Sequence, residues 1–364
     1  MESKLGQLFI IGLQGTQLTK EEENFIVENN IGGVILFDRN LESPEQIYKL
    51  TTDLQDLRKK MADDAPLFIG IDMEGGRVHR LKEPFTQWPT GQSLSSLDST
   101  SVTFKFAYNM GLELKAVGIN LDFAPCVDVL TNPLNKVIGD RALGTDGEKV
   151  AKLSSALVRG YIKSGIMPCA KHFPGHGNTL LDSHEELPVE TKTLDELKAQ
   201  ELTPFKKVFR ARLDMVMTAH IKFENIDSEP VTFSEKILKG ILRDDLRFSK
   251  LVISDDLDMK ALTNHYSVEE IPVRALKGGC DILLYCNEPA SPIVAMHSLK
   301  AALASGEITN EMIEERYQRV LEVKSRLALP GPLSDVGDVV GKDEHKQLAE
   351  AIKNQQVPAS LLTA

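Results

Sequence analysis

Short apolar runs alternate along the chain with longer amphipathic stretches. Strand-like runs fall at 8–13, 33–37, 67–72, 120–124, 167–171, 215–218, 251–254 and 282–285, where consecutive apolar residues bounded by glycine or polar turn residues read as buried strands. Helical spacing fills the intervals at 20–29, 44–61, 102–117, 148–164, 193–210, 234–246, 268–278 and 289–304, with one more helix after Thr309. End signals agree with these bounds. Ser43 followed by Pro44 opens the second helix, Thr193 with Glu196 forms a capping box for the fifth, and Gly165 ends the fourth. Eight alternations predict an α/β protein with a single (β/α)8 barrel of the TIM type. A doubly wound sheet would need a glycine-rich phosphate turn after its first strand, and Gly12, Gln14 and Gly15 do not supply one. No internal repeat or Pro/Gly/Ser-rich linker divides the chain. Residues 1–330 are therefore expected to be the barrel. Residues 331–364, polar and weakly patterned, are expected to be a C-terminal extension that packs on the barrel or is partly disordered.

Composition narrows the class. With 364 residues, 42% hydrophobic and 26% charged, the chain has the make-up of a globular protein with a sizeable core. A formal charge of −11 argues against a nucleic-acid partner, which would call for a basic face. Cys126, Cys169, Cys280 and Cys286 form no CxxC pair and read as buried reduced thiols. The start, MESKLGQLFIIGLQG, carries an apolar run of about six residues, short of a signal h-region or a membrane span. A cytoplasmic protein without a membrane partner is expected.

Candidate chemistry concentrates at 171–188, KHFPGHGNTLLDSHEELP, directly after the fifth strand. Gly175, Gly177 and Asn178 deny regular structure to the residues after them, so Asp182, Ser183 and His184 should lie on a loop. A barrel requires active residues at the carboxyl ends of several strands. The third run delivers Asp72, then Glu74, Arg77 and Arg80. The fourth is followed by Asp128 and Arg141, the fifth brings Lys171 and His172, the sixth His220, and the seventh Asp255 and Asp256. One shared pocket is implied.

Each of these has a plainer reading. An aspartate after a strand is commonly a helix cap, and the Asp255–Asp256 pair leaves room for both roles. His172, His176 and His184 lack the spacing of a metal pair on one helical face, so neither metal nor cofactor is expected. Glu74, Gly75 and Gly76 read as a turn, since consecutive glycines permit positive φ. His220 is as well explained by a structural role as by ligand contact. Acidic positions, a histidine beside an aspartate, and several Arg and Lys in one cavity suit glycoside hydrolysis, where a leaving oxygen is protonated while a carboxylate meets the oxocarbenium-like centre.

Five segments carry a family resemblance: DMEGGRVHR, GDRALG, KHFPGHGNTLLDSH, PVTFSEKILKGILRDDLRF with VISDDLDM, and GGCDILLYCN. They span residues 6–328 and resemble glycoside hydrolase family 3, specifically its single-domain β-N-acetylglucosaminidases. KHFPGHG followed by DSH is the most specific of them. The resemblance implies a barrel enzyme that removes non-reducing terminal N-acetylglucosamine with retention, from peptidoglycan fragments of the GlcNAc-1,6-anhydroMurNAc-peptide type during cell-wall recycling. Carried over position by position, it implies Asp255 as nucleophile, His184 as acid/base and Asp182 as its partner. Asp72, Arg80, Arg141, Lys171 and His172 match the sugar contacts. Met73 and His79 stand where the family often has glutamines, and Asn178 where it often has an aspartate, which bears on subsite preference.

A histidine acid departs from the usual second carboxylic acid, yet an unperturbed pKa near 6.5 suits proton exchange at neutral pH. Asp182, two residues earlier, can fix the ring's tautomer, and Gly175 and Gly177 are expected hinges for closing the loop. The expected partner is a small sugar substrate, a muropeptide or a chitooligosaccharide-type β-N-acetylglucosaminide, acted on by a monomer. Two other readings are carried alongside. A family relative cleaving other β-glycosides, or transferring the sugar to phosphate, would be revealed by assays with and without phosphate. A non-catalytic muropeptide binder is opposed by the intact Asp255, Asp182 and His184.

Overall fold

The computed structural model describes residues 2–183 and 185–362. The eight predicted runs form eight strands: β1 (Phe9–Gly12), β2 (Gly33–Leu36), β3 (Phe68–Ile71), β4 (Leu121–Asp122), β5 (Met167–Phe173), β6 (Met215–Thr218), β7 (Leu251–Asp256) and β8 (Ile282–Tyr285). Neighbours in sequence pair in parallel, and β8 closes on β1 with Phe9 opposite Leu283 and Ile11 opposite Tyr285. The result is a closed barrel ringed by helices, as the alternation predicts. Every residue of β2, β3, β5, β6 and β8 is buried, because a parallel sheet inside a helical shell meets protein on both faces.

Strand ends depart from the pattern where polar side chains take over backbone partners. β4 is two residues long, against an expected 120–124. The Asp122 carboxylate accepts the Met73 N–H at 3.0 Å, and Pro125 has no N–H to continue the ladder. β5 and β7 run on to Phe173 and Asp256. Lys171, His172 and Asp255 thus sit on the strands themselves, held more rigidly than loop residues.

The helices follow the pattern with one break. The expected helix at 193–210 is two, Leu194–Ala199 and Leu202–Arg210. Pro204 explains it, since in a continuous helix its ring would collide with the carbonyl of Gln200. Gln200 leaves helical geometry (φ −130°, ψ −70°), and its side chain accepts the Gly147 N–H at 3.1 Å. The stretch expected at 234–246 is wound as a π-helix over Lys236–Asp245. Among the described residues no helix is long and apolar enough to cross a membrane. All four cysteines are buried and unbridged.

The weakly patterned tail forms the helices Ser334–Val339 and Asp343–Lys353, which bury Val336, Leu348, Ala349 and Ile352. Its polar anchor is Glu113 on the helix Thr100–Ala116. That buried carboxylate accepts the Thr86 N–H and hydroxyl at 3.0 and 2.6 Å, the Gly341 N–H at 3.2 Å, and meets His345 Nδ1 at 2.7 Å. A buried carboxylate needs such partners to offset its desolvation. Here they stitch the tail to the segment after the third strand.

Candidate active site

A cavity of about 670 Å³ lies at the carboxyl end of the barrel, and Asp72, Arg80, Arg141, Lys171, His172, Asp182 and Asp255 all line it. These side chains come from the ends of β3, β5 and β7 and from the loops after β3, β4 and β5. His184 lies outside the described residues.

The floor is a buried square of charges. Directly after β3 the chain makes a hairpin of Met73–Gly75 against Val78–His79, turning at Gly75 (φ 94°) and Gly76 (φ 60°). A Cβ on Gly75 would stand 2.2 Å from the Pro89 carbonyl oxygen, so the turn admits only glycine there. The hairpin aims Glu74 inward, where its two oxygens receive Arg141 Nη2 and Nε at 2.8 and 2.9 Å. Lys171 Nζ, 4% exposed, lies 2.8 Å from Glu74 and 2.7 Å from Asp72. Burial alone would neutralise Glu74, but the Arg141 and Lys171 cations outweigh it and hold the carboxyl far below its usual range. For Lys171, burial works against the ammonium, and Asp72 with Glu74 overcomes it, so the group stays charged. Arg80 is held more loosely, 3.9 Å from Asp72 and 3.7 Å from Asp38, and lies over the Phe37 ring. Of Arg80, Arg141 and Lys171 it is the cation least committed to protein carboxylates, hence the readiest of the three to meet a ligand.

From the sequence, Glu74 reads as part of a turn. The turn is real, but the carboxylate is also the counter-charge of the pocket. Glu74→Ala leaves two buried cations with one carboxylate between them and is expected to cost about 3–5 kcal/mol of stability, measured as a lower denaturation midpoint at unchanged slope. A variant that unfolds at the wild-type midpoint would refute this role.

His172 is oriented by Asp128, whose Oδ2 meets Nδ1 at 2.7 Å. The other oxygen, Oδ1, accepts the His176 N–H at 2.6 Å. Burial pushes Asp128 up, but His172 and its hydrogen bond dominate and bring it down to about 2. With Nδ1 committed, Nε2 is the ring atom left for a ligand. Cys126, Asp128 and His172 place their donor atoms within 4.8 Å of one another. The Cys126 thiol already donates to Asp128 at 3.3 Å, and burial followed by the Asp128 charge pushes that thiol well up. The trio is satisfied as a hydrogen-bonded cluster, and an ion would have to displace both hydrogen bonds.

At the end of β7 the two aspartates part in role. Asp256 is a backbone cap. Its Oδ1 accepts the N–H groups of Cys286 and Asp258 at 3.1 and 3.2 Å, and burial, followed by the charges of Asp258 and Asp255, raises it to about 7. Asp255, half-buried, accepts the Asp256 N–H at 2.8 Å and lines the cavity. His220 is fully buried between Thr232 Oγ1 (2.7 Å from Nδ1) and the Asp256 carbonyl (2.9 Å from Nε2). These contacts favour its structural reading, the one to the Asp256 carbonyl bracing the strand that carries Asp255.

Asp182 is exposed on the loop after β5, its carbonyl accepting the N–H groups of Glu185 and Glu186 at 3.0 Å each. Gly175 has φ 138°, which suits the expected hinge. Gly177 does not. A Cβ there would lie 1.9 Å from the Val129 carbonyl oxygen, and its own carbonyl accepts the Asn132 N–H, so this glycine is needed for close approach. Sequence reasoning assigns no chemical role to Glu74 or Asp128. The signal for Glu74 is a charge count: Arg80, Lys171 and Arg141 outnumber Asp72 among the charged residues expected at the mouth, so a further carboxylate is called for.

The sequence matches the model of the glycosyl hydrolase family 3 N-terminal domain over residues 1–323. A β-hexosaminidase of Idiomarina loihiensis is 37% identical over 78% of this chain and 85% of its own length. Among solved structures, a glycoside hydrolase family 3 β-N-acetylglucosaminidase from a Paenibacillus species superposes with a TM-score of 0.94 at 36% identity, covering 98% of this chain and 68% of that one. NagZ from Neisseria gonorrhoeae superposes with a TM-score of 0.79 at 31% identity, covering 96% of this chain and 98% of that one. A closed barrel whose carboxyl end gathers these acids and cations, matched along nearly its whole length, places the chain in glycosyl hydrolase family 3.

Proposed function

We propose that this glycoside hydrolase is a β-N-acetylhexosaminidase that removes non-reducing terminal N-acetylglucosamine with retention, through a covalent glycosyl-enzyme on Asp255, with His184 as acid/base and Asp182 as its partner. The observation that carries the reading is the convergence of Asp255, on rigid β7, and Asp182, on the loop after β5, upon one cavity floored by Arg141 and Lys171. The relatives named β-hexosaminidase and β-N-acetylglucosaminidase support the sugar.

In the first step Asp255 attacks C1 while His184 protonates the departing oxygen. In the second, His184 takes a proton from water, which attacks C1 and releases Asp255. Asp72, Arg80, Arg141 and Lys171 bind hydroxyls and the acetamido group by charge-assisted hydrogen bonds, which in a buried site discriminate strongly, and His172 adds a hydrogen bond through its ring. The proposed natural substrate is a peptidoglycan fragment of the GlcNAc-1,6-anhydroMurNAc-peptide type, handled in the cytoplasm by a monomer that uses no cofactor.

The deciding assay compares an aryl N-acetyl-β-glucosaminide with the matching β-glucoside. The acetamide should raise kcat/KM at least about 100-fold, as expected where buried polar groups would otherwise go unpaired, and added phosphate should change neither rate nor product. Equal rates on the two glycosides, or a sugar phosphate as product, would overturn the assignment.

A further inference from the structure

Of the three histidines in 171–188, the proposed chemistry uses two and leaves His176 unexplained. His176 is 1% exposed, and its neighbours on the loop run outward, with Leu180 72% and Leu181 49% exposed. Ser183 then turns back in and is 2% exposed, although Asp182 and Glu185 are exposed residues. There its hydroxyl meets the buried histidine: His176 Nε2 and Ser183 Oγ are 3.0 Å apart.

Every polar atom of His176 is engaged. Its N–H donates to Asp128, Nδ1 meets Thr179 Oγ1 at 2.8 Å, and its carbonyl accepts Asn135 Nδ2 at 2.8 Å. The ring stands edge-on to His172, centroids 5.7 Å apart. Burial, reinforced by His172, lowers His176 to about 4, so the ring is neutral near pH 7. A neutral ring donates at one nitrogen and accepts at the other, which two hydroxyls can match in either tautomer.

Ser183 is held from a second side as well, because its carbonyl accepts the Ala261 N–H at 3.3 Å, and Ala261 comes just after the strand that carries Asp255. Farther out, the same loop is touched by Lys260 on Glu185 at 2.6 Å and His265 on Glu186 at 2.8 Å. Those pairs are largely exposed and contribute little. The buried hydrogen bond governs, since breaking it strands polar atoms away from water. Asp128 ties the parts together, fixing the His172 ring in the pocket wall and the His176 backbone at the loop's root.

We infer that His176 is a positioning residue for the proton-transfer step, its hydrogen bond to Ser183 fixing the loop segment that carries Asp182 and His184 relative to Asp255. The inference rests on the proposed acid/base role of His184. Loss of the contact displaces the acid without removing it, so catalysis of poor leaving groups should suffer while binding and attack at C1 persist. A misplacement of about 1 Å costs on the order of 100-fold.

The test compares Ser183→Ala, Ser183→Thr, His176→Phe and His184→Ala on diacetylchitobiose, which needs protonation of its leaving sugar, and on a dinitrophenyl N-acetyl-β-glucosaminide, which does not. Ser183→Ala and His176→Phe should each lower kcat/KM about 10- to 100-fold on the disaccharide and less than about threefold on the dinitrophenyl substrate. Ser183→Thr, which keeps the hydroxyl, should recover the disaccharide activity. The double variant Ser183→Ala/His176→Phe should be no worse than either single one, as expected for two ends of one contact. Equal losses on both substrates, no loss on the disaccharide, or failure of threonine to rescue would overturn the inference. If His184→Ala alone shows the leaving-group dependence, only the positioning role fails. If His184→Ala loses both activities equally, the acid assignment fails and the positioning role falls with it.

Discussion

Asp255→Ala is expected to lower kcat/KM on an aryl N-acetyl-β-glucosaminide by at least about 10,000-fold, in line with the loss of a nucleophile from an otherwise intact site. Its neighbours cannot stand in. Asp256 commits Oδ1 to the N–H groups of Cys286 and Asp258, and burial first raises its carboxyl to about 7, so it is partly protonated at neutral pH and held by the backbone. Asp258 is also raised, chiefly by burial. Two measurements check the assignment. A 2- or 5-fluoro sugar should form a slowly hydrolysed adduct, and mass spectrometry should place the label on Asp255. Azide added to Asp255→Ala should enter the vacated space, form the C1–N bond as the phenolate leaves, and give the α-glycosyl azide. A label on Asp256 or Asp258, or a β-azide, would sink the proposal.

The barrel is legible because most strands are buried on both faces and so read as short apolar runs, polar only where β5 and β7 reach the mouth, whereas helices alternate. The positions at which the pattern falls short share a physical cause. Pro204 splits a helix by a clash with a carbonyl four residues back, which the apolar spacing of 193–210 does not register. β4 is curtailed because the Asp122 side chain serves the Met73 N–H, a pairing between segments 49 residues apart. The tail's polar anchor lies outside it, on Glu113, which its own His345 meets, and no spacing within 331–364 registers that partner.

The site is legible to the extent that its residues stand at strand ends. Asp72, Lys171, His172 and Asp255 need only the strand registers to be placed around one mouth. Glu74 cannot be found that way. Its DMEGG context reads as a turn, and the partners that receive its side chain, Arg141 and Lys171, come from segments 67 and 97 residues away. Asp128 is visible as a polar residue after the fourth strand, but its two-sided role appears only once β5 brings His172 and His176 against it. Local pattern thus marks which residues stand at the mouth, and long-range packing decides which of them are bound to one another.

His184→Ala should separate substrates by leaving group. A sugar alkoxide departs poorly without a proton, so kcat/KM on a natural disaccharide should fall on the order of 100- to 10,000-fold, the usual span for general acid catalysis. A nitrophenolate leaves unaided. With that substrate the first step should persist, and the second, which on the proposed mechanism needs His184 as base, should become limiting, so that glycosyl-enzyme accumulates and nitrophenol appears as a burst. Asp182→Asn should act in the same direction but less severely, since on the proposed mechanism it removes a carboxylate that favours the protonated imidazole and keeps the imidazole itself. A nearby negative charge raises a histidine's pKa, so its removal lowers it. The acid form is needed in the first step, and the high-pH limb of kcat/KM for Asp182→Asn should therefore move to lower pH. Equal losses on both substrates for His184→Ala, together with an unmoved limb for Asp182→Asn, would contradict the proton-transfer role of the pair and leave the loop a structural one.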